Sequence, residues 1–211
     1  MLKSRERRMH ESYFSERPGS SNAREPSFKW SSAQLGMFVF MLSLSVLFGA
    51  SLIGFAITRH FSETWRTPDM PALPAGLFGS TALIAGLSAA VQYALVCARR
   101  NRFEALTRAL LLTFALALAF LAGQTMNWLH MLQGFAPGTK SLYAFTFYAM
   151  TGLHALHVVG GFVPLTLVTF RARRKEYTSS HHEGLKLCVQ YWHFLGAVWL
   201  VLLVALHWGS W

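Results

Sequence analysis

Five stretches of this chain contain no Asp, Glu, Lys or Arg: Leu35 to Thr58, Ala75 to Ala98, Ala109 to Leu129, Leu142 to Phe170 and Leu187 to Trp208. Each reaches the ~20 residues an α-helix needs to cross a ~30 Å hydrocarbon layer. The helices of a soluble bundle each carry a charged face, and these runs carry none. The pattern predicts an all-α integral membrane protein with five transmembrane helices, about 35–58, 75–98, 109–129, 142–170 and 187–208. Only 13% of the 211 residues are charged and 53% are hydrophobic, which already excludes an ordinary soluble domain.

The formal charge of +10 raises the question of nucleic acid, but the placement of the charge answers it. Sixteen of the nineteen Lys and Arg fall in the N-terminal tail, the loop from Arg99 to Arg108 and the loop from Arg171 to Lys186. Arg59, Arg66 and Lys140 occupy the alternate loops. Such loop-by-loop alternation is the positive-inside pattern. It places the N-terminus in the cytoplasm and the C-terminus outside, with membrane surface rather than nucleic acid as the partner of the charge. Cys97 and Cys188 match no metal spacing and read as two free thiols. The first thirty residues are polar and hold Glu6, Glu11, Glu16 and Glu25, unlike a cleaved signal or an acid-poor transit peptide. A bacterial inner membrane fits best.

Residues 1–30, mixed in charge and broken by Pro18-Gly19, read as a mobile cytoplasmic arm; residues 31–211 form the transmembrane domain. Trp30, Trp65 and Trp128 are expected at the membrane surfaces, where an indole sits between wet and dry surroundings. The second span is rich in Gly, Ala and Ser, a composition suited to packing against protein, and carries Gln92 near its inner end. The short connection after Arg99 makes the second and third spans antiparallel neighbours. Gln124, Asn127 and His130 fall on successive turns of one face of the third. The fourth is longer than a perpendicular crossing, and Gly160-Gly161 with Pro164 predict a bend in it.

Chemistry rests on the imidazoles. His154 and His157 lie one turn apart, and His193 sits inside Tyr191-Trp192-His193-Phe194 at the start of the last span. An imidazole in hydrocarbon requires a partner, because an unpaired polar group there costs several kcal/mol. A bis-histidine haem needs two such residues at equal depth. At ~1.5 Å rise per residue, His193 lies ~10 Å from the inner side, His157 ~20 Å and His154 ~24 Å. That mismatch favours interhelical contacts, assigned to His154, His157, Gly160, Gly161, Trp192, His193, Gln124 and Asn127. The spans hold no carboxylate for a proton relay, and the sequence offers no nucleophile–base set and no phosphate loop. Catalytic, cofactor and metal residues are therefore expected to be none.

The string HHEGLKLCVQYWHFLGAVWL with the terminal HWGSW resembles the last helix of subunit III of the haem-copper oxidases. TFYAMTGLHALHVVGGF (Thr146 to Phe162) resembles the helix before it, and LGMFVFMLSLSVLFG (Leu35 to Gly49) the first helix of the five-helix form. His182, Tyr191, Trp192, His193, Phe194 and Trp199 match, as do Gly152, His154, His157, Val158 and Gly160. The resemblance implies a subunit without redox centres, with haem and copper in the partner subunit I. That partner would be packed directly against it, with subunit II, further small subunits and phospholipids around. It also implies roles in assembly, lipid retention and proton uptake during oxygen reduction. Four positions where family members carry acids hold Leu44, Asn127, Lys186 and Gly196 here, which separates this chain from any carboxylate-dependent proton handling. His181 and His182 in the basic loop are candidates for surface proton collection. The alternatives are the same fold serving a quinol oxidase or a nitric oxide reductase, a haem b membrane electron carrier using the histidines, and small-molecule transport.

Overall fold

The computed structural model of the protein describes residues 31–63, 65, 71–134, 141–177 and 182–210. The N-terminal arm, Trp30, Arg66, Lys140 and His181 lie outside the described residues. Five helices follow one another: α1 Ser32–Phe61, α2 Gly76–Arg99, α3 Phe103–Gln133, α4 Leu142–Arg173 and α5 Glu183–Gly209. Each is long and apolar enough to cross a membrane, and the described residues contain no strand. Their inward-facing hydroxyls are answered locally. Thr113, Thr151 and Thr169 each donate to the carbonyl four residues earlier, at 2.9, 2.6 and 2.7 Å, as do Ser43, Ser45 and Ser51 on α1. Such back-bonding lets a polar residue lie in hydrocarbon without a second helix.

Helices α2, α3, α4 and α5 close into a ring in which each touches the next and α5 returns to α2. The pairs Ser80–Asn127, Trp128–Thr151, Gly161–Trp192 and Ser88–His193 show that each neighbouring pair is antiparallel. One end of the bundle gathers Arg99, Arg100, Arg102, Arg108 and the cations from Arg171 to Lys175. The opposite end holds Arg59 as its cation among the described residues.

Two turns at the basic end are built alike. After α2, Asn101 takes φ 54°, with Asn101 N–H bonded to Ala98 O at 3.1 Å and Arg102 N–H to Cys97 O at 2.9 Å. After α4, Lys175 takes φ 59°, with its N–H on Ala172 O at 3.0 Å and Glu176 N–H on Arg171 O at 3.1 Å. This is the Schellman arrangement, in which a left-handed residue turns the chain back so that the last carbonyls find donors. Asn tolerates that conformation better than Lys does.

Helix α1 differs from the rest. Among the described residues none of its α-carbons comes within 8 Å of another helix. It leans on the bundle through rings instead: Phe40 on Tyr191 at 5.9 Å, Phe48 on His157 at 5.2 Å, and Phe55 on Trp65 at 5.5 Å. Two clefts of about 320 and 370 Å³ stay open along the α1–α4 seam, one beside Phe40 and His157 and the other beside Phe55 and Met150.

Charge-free length understates the helices. Helix α3 begins six residues before its apolar run, where Glu104 and Arg108 pair one turn apart at 2.9 Å, and α4 continues past Phe170 to Arg173. Helix α4 also runs unbroken through Gly160, Gly161 and Pro164. Pro164 has no N–H to offer the carbonyl of residue 160. Trp65, expected at a membrane surface, lies at the level where α5 ends and is buried there against protein: its indole donates to Gly209 O at 2.8 Å, which caps the end of α5.

Candidate functional site

Several polar side chains of the bundle interior lie in one region, between Ser80-Thr81 on α2, Gln124 to Trp128 on α3, Thr151 to His157 on α4 and Trp199 on α5. Asn127, fully within α3, donates to Ser80 Oγ at 3.3 Å. A Cβ on Gly76 would collide with the Asn127 amide oxygen, so glycine at that position lets the amide lie against α2. Trp199 donates to Thr81 Oγ1 at 3.1 Å and Trp128 to Thr151 Oγ1 at 2.9 Å. Both indoles thus cross to a neighbouring helix whose hydroxyl is available as acceptor.

His154 stands at the centre with no exposure. The rings of Trp199, Phe120 and Phe48 surround it at 5.3, 5.8 and 6.2 Å. Neither ring nitrogen has a hydrogen-bond partner among the described residues, and the same holds for both amide atoms of buried Gln124. The sequence predicts polar contacts for these two; the structure shows no hydrogen-bond partner for either among the described residues and places aromatic rings around His154. His130, expected on the same face as Gln124 and Asn127, is exposed, and Met131 takes the buried position.

His157, one turn on, is half-buried. Its Nδ1 lies 2.7 Å from Leu153 O. A carbonyl only accepts, so Nδ1 is the donor in this contact. The His157 carbonyl receives the Tyr191 hydroxyl at 2.8 Å, which ties α4 to α5. Gly161 makes the same junction close: a Cβ there would stand 3.0 Å from both the Trp192 and Tyr191 rings. Trp192 is 2% exposed and also meets Phe162 at 6.3 Å. Gly160 faces open space beside the smaller cleft.

His193 belongs to a different junction. Its Nδ1 lies 2.6 Å from Ser88 Oγ and its Nε2 3.2 Å from Gln92 Oε1, both on α2. His193 thus serves the α2–α5 pair, while the His157 ring bonds within α4. Among the described residues no group of three His, Cys, Asp or Glu side chains could hold a metal ion. His182 precedes α5 without capping it by its side chain. Near it, Tyr177, Arg171 and Gly184 meet. Burial pushes the Tyr177 phenol above its usual range, against the neighbouring Arg171 cation, which pulls it down.

Sequence reasoning missed Phe48, Phe120, Ser88 as a histidine partner, and the threonine acceptors of the two indoles. Nothing in the chain marks these hydroxyls from those that only back-bond.

Fold and interior together define a multi-pass α-helical membrane protein whose described core is closed by its own side chains. The chain belongs to the cytochrome c oxidase subunit III family, whose model matches residues 27–211. It is 31% identical over 174 residues to cytochrome c oxidase subunit 3 of Synechocystis sp., covering 82% of this chain and 73% of that one. To the same subunit of Thermostichus vulcanus it is 28% identical, over 82% of this chain and 85% of the relative. To the human subunit it is 34% identical over 151 residues, 71% of this chain and 55% of the relative.

Proposed function

We propose that this chain is the non-catalytic subunit III of a bacterial haem-copper terminal oxidase, embedded in the inner membrane with its N-terminal arm in the cytoplasm. In this reading it packs on subunit I, which carries the haems and copper, supports assembly, retains phospholipid and aids proton uptake. One observation carries the reading: the family match spans the whole described bundle. A subunit of this build acts through its outer faces. The excess of cations at one end supports a cytoplasmic orientation of that end.

Purification of the tagged chain from its native membrane tests the proposal. Co-purification of a haem- and copper-bearing subunit is expected, together with no Soret band from the chain alone. Recovery of the chain by itself, with haem bound, would overturn it. The role of His181 and His182 in collecting protons has its own test: alanine at both positions lowers turnover and shifts its pH dependence, and unchanged profiles remove that part of the reading.

A further inference from the structure

Exposed hydroxyls along the spans, such as those of Ser43, Ser45 and Thr125, bond the carbonyl four residues back and need nothing from outside. Gln92 on α2 is different. It is exposed, while Ser88 one turn before it and His193 on α5 are half-buried. Ser88 Oγ stands 2.6 Å from His193 Nδ1, and Gln92 Oε1 stands 3.2 Å from His193 Nε2. An amide oxygen only accepts, so Nε2 is the donor in the second contact. The three side chains form a polar strip that starts inside the α2–α5 junction and ends on its outer rim at Gln92. The carboxamide still has its N–H2 to offer, and no described residue accepts from it.

Depth decides what can answer it. Gln92 lies seven residues inside Arg99, and His193 lies six beyond Leu187, where the last charge-free run begins. At ~1.5 Å per residue both sit ~10 Å inside the basic edge of the hydrocarbon. Two methylenes cannot carry a carboxamide back to that edge, and the hydrocarbon holds no water for it. The polar groups of phospholipids stand at the edge itself, out of reach. An amide N–H2 at this depth costs several kcal/mol unless protein brings it an acceptor. The surroundings admit protein. Ala89 and Ala85, one and two turns before Gln92 on the same face, are small and exposed, whereas α3, α4 and α5 present Leu118, Leu167 and Val204 outward. Small side chains let a second helix come near enough for a side-chain hydrogen bond.

We infer that the outer rim of the α2–α5 junction seats a transmembrane helix of a different polypeptide. That helix presents a hydrogen-bond acceptor, a side-chain carbonyl, hydroxyl or carboxylate oxygen, to Gln92 at ~10 Å from the basic edge. Gln92 makes the contact; His193, itself held by Ser88, fixes the amide oxygen and so leaves the N–H2 for the partner. The face and the depth hold whether or not the complex is a haem-copper oxidase.

Photo-cross-linking of the complex purified from its native membrane tests the seat, with benzoylphenylalanine incorporated at Tyr93, the exposed aromatic beside Gln92. The expected product joins Tyr93's position to a transmembrane peptide of another polypeptide, with a polar residue within one turn of the attachment. Products with lipid alone, with residues 1–30 of the same chain or with a second copy of the chain overturn the assignment. Gln92→Leu gives a second readout. For a glutamine facing lipid, leucine would leave the assembly unchanged or firmer; at the proposed seat, the partner leaves the complex in detergent about three- to tenfold faster. An unchanged rate overturns the contact at Gln92. Circular dichroism of the full-length Gln92→Leu chain, expected unchanged, separates loss of the partner from loss of the fold. A cross-linked partner in a complex free of haem and copper would sink the oxidase reading while supporting the seat.

Discussion

Gly161 and Trp192 are in register such that a Cβ on the glycine would stand 3.0 Å from the indole edge, with the Tyr191 ring as close on its other side. Alanine would gain about 1 kcal/mol in helix propensity, but crowding two buried rings costs typically about 1–3 kcal/mol. Gly161→Ala is therefore expected to lower stability by about 1 kcal/mol, and Gly161→Val by more. Gly160→Ala, with nothing within 4 Å, should be neutral or stabilising. Thermal unfolding of the two alanine variants in one detergent checks the contrast; equal behaviour would contradict it.

Ser88 and His193 tie α2 to α5 across 2.6 Å. Interhelical hydrogen bonds in membranes couple by about 0.5–1.5 kcal/mol. A double-mutant cycle with Ser88→Ala and His193→Leu should return a coupling in that range. Additive losses would show that the bond is not made in the folded protein.

His154 and Gln124 lead to an opposite expectation. Both are buried polar groups without partners among the described residues, and such groups each cost about 1–3 kcal/mol when unsatisfied. His154→Leu and Gln124→Leu are predicted to raise the unfolding temperature, each by the equivalent of about 1 kcal/mol. A clear loss in either variant would reveal a partner, such as an internal water, that the side chain had been holding.

Trp65 holds the far end of α5 through a 2.8 Å bond from its indole to Gly209 O, with Phe55 and Tyr143 packed against the ring. Trp65→Phe keeps most of the packing and removes the donor, so a loss of about 1 kcal/mol is expected. Hydrogen exchange at the C-terminal turn of α5 should rise in this variant and stay unchanged near α3.

Tyr177 supplies the pH-dependent case. Burial raises its phenol above 10.0, the Arg171 charge only partly opposing. A raised value means the folded state prefers the neutral phenol. Its contribution is whole below the unfolded value and declines as pH rises through the folded one. The ultraviolet titration of Tyr177→Phe, subtracted from that of the unchanged protein, should show that the phenol lost is a late-ionising one. Early ionisation of that group would contradict the burial seen here.

The spans were legible because hydrocarbon imposes one rule along the whole chain: no ionised side chain for about twenty residues. Their ends were not, because α3 and α4 continue into water with Glu104, Arg108, Arg171 and Arg173, which no longer obey that rule. In the interior, His193, Gln92 and Asn127 announced themselves as polar residues in apolar runs. Their partners Ser88 and Ser80 did not, since a serine looks the same whether it bonds its own helix or another. Phe48 and Phe120, two of seventeen phenylalanines, carried no mark of their place around His154. Trp65 gave its level in the chain but not its contact: only the position of the α5 terminus shows that the indole is tucked under it.

Helix α1 rests against its neighbours through aromatic plates and touches none of them backbone to backbone. Like an outrigger, it can be lifted away without unpicking the hull, because none of the four closing junctions runs through it. Along that seam rings, not backbones, set the spacing, and two clefts stay open there.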